Sequence, residues 1–65
     1  MELTNIEDYV PGTLAKMDLF NYWIHILRED GQVEQHPATR AKECWFTDSD
    51  PDFVAYAFEP KDSND

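Results

Sequence analysis

Sixty-five residues, with fourteen acids against five bases and a net charge of −9, bound the protein to one small domain whose surface repels DNA, RNA and anionic membranes. Cys44 is the only cysteine, so no intrachain disulfide can form, and stability rests on the packing of nine aromatic rings: Tyr9, Phe20, Tyr22, Trp23, Trp45, Phe46, Phe53, Tyr56 and Phe58. No apolar run approaches the ~20 residues of a membrane helix, and Met1–Asn5 lacks the basic and apolar pattern of an export signal. With a lone thiol, these features point to a reducing cytoplasm.

Taken in chain order, the first elements are short helical turns. Thr4 or Asn5 is placed to cap a turn through Ile6, Tyr9 and Val10, with Glu7 and Asp8 near its positive end. Pro11-Gly12 breaks it, and Thr13 can cap a second turn containing Leu14, Met17 and Leu19.

Phe20 to Leu27 is rich in aromatic and β-branched residues, and Asp30-Gly31 offers the dipeptide of a tight hairpin. A two-residue turn there sets Arg28 opposite Val33 and Leu27 opposite Glu34. Phe20, Tyr22, Ile24 and Ile26 then share a core face with Val33, while Trp23, His25, Leu27, Gln32 and Glu34 line the other.

Beyond Pro37, which suits a first helical position, Ala38, Ala41, Cys44 and Trp45 recur at helical spacing and predict a helix over 38–46. Asp48-Ser49-Asp50-Pro51-Asp52 reads as a loop. Phe53 to Phe58 alternates, with Val54, Tyr56 and Phe58 on one side, and is stopped by Pro60. The expected fold is α+β. A hairpin, a helix and a third strand build a three-stranded antiparallel sheet, with the N-terminal helical turns packed on one face. Residues 1–60 make the domain and 61–65 a flexible acidic tail.

The charge is unevenly spread. Residues 1–19 carry −3, residues 20–36 carry −2, residues 37–47 carry +1 and residues 48–65 carry −5. The candidate partner-binding acids are Glu29, Asp30 and Glu34 at the hairpin, Asp48, Asp50 and Asp52 in the loop, and Glu7 and Asp8 near the N-terminus. Alternate residues of an extended chain stand about 6.6 Å apart, so Asp48, Asp50 and Asp52 would present carboxylates at a step comparable to successive phosphates of a nucleic-acid strand. A groove of Lys and Arg built for a backbone suits such a row. Acidity also serves solubility, and only the placement of the charges separates the two uses.

Rival chemistries are poorly matched. Asp48, Asp50, Asp52 and Glu59 echo an EF-hand spacing, but Phe53 stands where that loop needs glycine. His25, His36 and Cys44 lack the paired short spacings of structural zinc sites. Cys44 on the apolar face of its helix reads as an inert thiol rather than a nucleophile. With Gly12 and Gly31 the only glycines, there is no phosphate-cradling loop. No enzyme activity, cofactor or metal is expected.

In size, charge and single-domain build, and through Glu29, Asp30, Glu34 and the Asp48-Ser49-Asp50-Pro51-Asp52 loop, the chain resembles the small acidic inhibitors made by phages and mobile elements, especially the anti-CRISPR proteins. No sequence motif defines that group. Within it, the nearest in style are DNA mimics that bind type I CRISPR surveillance complexes. The resemblance implies a stoichiometric inhibitor, working in the cytoplasm of a bacterial host cell, that occupies the basic surface where DNA and its flanking recognition motif sit; the high net charge favours a monomer. The alternative is a small adaptor or antitoxin-like regulator that binds a protein through the aromatic face around Trp23.

Overall fold

The computed structural model describes residues 2–49 and 51–61. Asp50 and most of the expected tail, residues 62–65, lie outside the described residues. Strands β1 (Thr4–Asn5), β2 (Tyr22–Arg28), β3 (Val33–Pro37) and β4 (Phe53–Pro60) form one antiparallel sheet in the order β1-β4-β2-β3. The helical elements are α1 (Glu43–Thr47) and 3-10 turns at Ile6–Asp8, Leu14–Lys16, Leu19–Asn21 and Ala38–Arg40. The fold is α+β as expected, with four strands rather than three.

The extra strand is β1, which pairs Thr4 with Tyr56 and Asn5 with Ala55. Asn5 both ends this strand and stands at the N-cap of the 3-10 turn Ile6–Asp8, as expected, though its side chain makes no cap bond. Thr13 likewise stands at the N-cap of the turn Leu14–Lys16 without a side-chain cap bond, and its hydroxyl donates to the Val10 carbonyl at 2.6 Å. β2 begins at Tyr22, and Phe20 sits in a 3-10 turn, 77% exposed instead of in the core.

The hairpin forms where Asp30-Gly31 placed it, but with a three-residue loop. Arg28 N–H donates to the Gln32 carbonyl at 2.8 Å and Gly31 N–H to the Arg28 carbonyl at 3.0 Å, leaving Glu29, Asp30 and Gly31 between them. Gly31 has φ +91°, a conformation other residues adopt only under strain. Asp30 braces the loop by accepting the Gln32 N–H at 3.0 Å. The longer loop slips the register by one residue, so Leu27 faces Val33 and Ile26 faces Glu34. Every β3 side chain consequently changes face. Val33 joins Trp23, His25 and Leu27, while Glu34 and His36 join Ile26 and Ile24.

A register shift between Leu27 and Arg28 lets β4 accommodate Val54 as an extra residue, and Arg28 pairs with Phe53. Phe53 thereby shares a side with Tyr56 and is buried, while Val54 is 40% exposed. The core lies on this face. Tyr9 stacks on Phe46 at 4.3 Å, and Phe46 meets Phe53 and Tyr56 edge-on at 5.6 and 5.0 Å. Ile24, Ile26, Leu14 and Ala41 fill the spaces between the rings.

The predicted helix over 38–46 is split. Ala41 and Lys42 are extended, α1 starts at Glu43, and the later start turns Phe46 inward and Cys44 outward. Cys44 is therefore an exposed thiol and not a core residue. On the other sheet face Ala55 and Ala57 are buried, Trp23 and Leu27 are half-buried and Val33 is 59% exposed. At the sheet edge, the alternation set by the Arg28–Gln32 pair turns the backbone groups of Val33 and Gln35 away from β2. At the opposite end of the sheet, Lys61 N–H donates to the Asn21 carbonyl at 2.8 Å.

Candidate interaction surface and cleft

Strand pairing decides which acids meet. Because Arg28 pairs with Phe53, the hairpin tip and the loop that enters β4 leave the sheet at the same end. Asn5 pairs with Ala55, so the turn carrying Glu7 and Asp8 emerges at that end too. Six of the expected acids, Glu7, Asp8, Glu29, Asp30, Asp48 and Asp52, are exposed there. Among the described residues, the ion pairs are His25–Glu59, Arg28–Glu34 and His36–Glu34, and none of these six acids takes part. Burial, with the nearby Asp8 carboxylate second, holds the Tyr56 hydroxyl above the ordinary tyrosine range.

The other two expected acids behave differently. Glu34 is half-buried and held between Arg28 at 3.7 Å and His36 at 3.1 Å, so its charge is locally balanced. Asp50 lies outside the described residues. On either side of it the chain bends at Asp48, Ser49 and Asp52. The calcium spacing is stretched out: β4 runs from Phe53 to Pro60 and carries Glu59 about 23 Å along the strand from Asp52.

Beside the acidic end lies a cleft of about 300 Å³ between β3 and α1. Ile26, Phe53 and Trp45 give it an apolar interior, and Trp45 packs edge-on to Phe53 at 6.2 Å. Glu34, His36 and Arg28 form the β-sheet wall, Arg40 and Cys44 stand on the helical side, and Asp48, Pro51 and Asp52 form the rim. A shallower hollow between Arg28, Glu29, Asp30 and Asp52 adjoins it.

Sequence reasoning missed this cleft because it depends on the hairpin register. With a two-residue turn Glu34 belongs to the Trp23 face; the three-residue loop places Glu34 and His36 toward α1. The glycine two residues after Glu29 is the available signal, since it also suits a three-residue loop ending at positive φ. His25, grouped with His36 and Cys44 by residue type, is on the opposite face and contacts Glu59 at 2.9 Å. Trp23 is on that face too, with the Lys61 ammonium 4.6 Å from its ring centre.

Glu43 has a structural rather than a surface role. Its Oε1 accepts from the Tyr9 hydroxyl at 2.7 Å and its Oε2 from the Gly12 N–H at 3.0 Å, tying the N-terminal segment to α1. Burial, with the Glu43 hydrogen bond second, pushes the Tyr9 hydroxyl up to about 12.

Comparison with protein-family models, with curated proteins and with solved structures finds no match to this chain. No helix among the described residues is long and apolar enough to cross a membrane.

Proposed function

We propose that the protein is a stoichiometric inhibitor that presents its acidic end to a basic, DNA-binding surface of another protein. The observation that carries this reading is the convergence of Glu7, Asp8, Glu29, Asp30, Asp48 and Asp52 from three chain segments onto one end of the sheet, outside the ion pairs among the described residues. Charge concentrated in this way steers association with a cationic groove and makes it salt-dependent. The resemblance to acidic anti-CRISPR proteins makes the DNA-recognition surface of a type I CRISPR surveillance complex, in the cytoplasm of a bacterial host, the proposed target. Inhibition is by occupancy, with no reaction and no cofactor.

A tagged pull-down from bacterial lysate, washed at low and then high salt, tests the reading. A DNA-binding complex retained at low salt and released at high salt supports it. Retention that ignores salt, and that Trp23→Ala abolishes, would replace it with an adaptor working through the sheet face that carries Trp23, Leu27 and Val33.

A further inference from the structure

We infer that the cleft between β3 and α1 receives an arginine side chain from the protein's partner, its stem lying on Trp45, Phe53 and Ile26 and its guanidinium reaching Asp48 and Asp52. This rests on the proposed basic partner and names the contact that anchors it. The cleft is at the lower end of the ~300–1,000 Å³ of small-molecule pockets. It has room for one long side chain.

Its electrostatics select a cation. Arg28 and His36 are both engaged by Glu34, at 3.7 and 3.1 Å, which leaves Asp48 and Asp52 against Arg40 within the cleft. The adjoining hollow adds Glu29 and Asp30 at the mouth. A carboxylate or phosphate would meet more negative than positive charge there. Among cations, arginine fits best: its long aliphatic stem covers apolar walls while its planar, weakly hydrated guanidinium bonds two carboxylate oxygens at once, which a lysine ammonium does not.

The test titrates the isotopically labelled full chain with Nα-acetyl-arginine-methylamide and follows the two indole N–H signals by NMR. Trp23, on the opposite sheet face, serves as the internal reference. The expected result is a saturable shift of the Trp45 indole with Trp23 unmoved. The neutral citrulline analogue should leave both indoles unmoved, and the Asp48→Asn/Asp52→Asn variant should bind roughly tenfold more weakly. No saturable Trp45 shift, equal shifts with the citrulline analogue, or undiminished binding by the double variant overturns the inference. No partner enters this titration, so the two readings fail separately. Arginine binding without any salt-sensitive partner would sink DNA mimicry and keep the cleft. Salt-sensitive capture without a Trp45 shift would do the reverse.

Discussion

The Tyr9 hydroxyl donates to Glu43 Oε1 at 2.7 Å across 34 residues of chain, and the same tyrosine ring stacks on Phe46 one turn further along α1. One residue thus supplies both a polar and an apolar joint between the N-terminal segment and a helix too short to stand alone. The Leu14 N–H also donates to that hydroxyl, at 3.4 Å. Tyr9→Phe keeps the stacking and removes the hydroxyl, leaving Glu43 and the Leu14 amide short of a partner. The expected loss is about 1–3 kcal/mol, read as a lower urea midpoint with an unchanged slope.

Alkaline stability follows from the same group. Below pH 10 the Tyr9 phenol holds its proton in both the folded and the unfolded chain, whose ordinary tyrosine value is near 10. Above that, the unfolded chain releases the proton while the folded one keeps it until about 12, so stability is full below 10 and is lost as pH rises through 12. Tyr56, also raised, acts in the same direction. Urea midpoints at roughly pH 8 and roughly pH 11 should fall steeply in the natural protein and less in Tyr9→Phe.

The hairpin loop offers a purely conformational test. A methyl group at Gly31 would meet nothing within 4 Å, yet the position has φ +91°. Gly31→Ala should therefore cost about 1 kcal/mol through backbone strain alone, and Gly31→Asn less. Thermal melts of the two variants check the order. Equal stability of Gly31→Ala and the natural protein would contradict the three-residue loop.

Charge reversal locates the epitope. Asp48→Lys with Asp52→Lys should weaken partner capture and flatten its salt dependence, while Glu2→Lys, beyond the opposite end of β1, should change little. The double reversal changes the net charge by +4 and the single one by +2, so an effect at Glu2 about half that of the pair would point to overall charge rather than to a surface. Glu43→Lys is unsuitable as a control because it breaks the Tyr9 contact.

Cys44 should titrate fully with a thiol reagent in the folded state, since it is exposed on α1. A thiol that reacts only after denaturant is added would instead place it in the core, where its helical spacing from Ala38 and Ala41 had set it.

The hairpin, the third strand and the acidic candidates were legible because each is signalled within a few residues: Asp30-Gly31, the alternation after Phe53, the runs of aspartate. The register was not, since a two-residue and a three-residue loop carry the same glycine signal, and that one-residue slip decided which face Val33, Glu34 and His36 occupy. The extra residue at Val54 also broke the alternation that had separated Phe53 from Tyr56. β1 has only Thr4 and Asn5, polar residues with no periodic pattern to read. In α1 the start was misplaced by a few positions, and each position turns a helix by about 100°, which exchanged Cys44 for Phe46. The convergence of the acids was the least legible, because it depends on β4 pairing with both β1 and β2 over long stretches of chain.

The outward backbone groups of Val33 and Gln35 make β3 a template on which another strand could continue the sheet. At neutral pH two such edges are kept apart by the −9 carried on each copy, and Pro37 shortens the template by one donor. Acidification removes the first safeguard and leaves the second. As the solution nears the isoelectric point of about 4.3, colloidal behaviour passes from electrostatic repulsion to the few hydrogen bonds of that short edge, and turbidity should set in there while the individual domains remain folded.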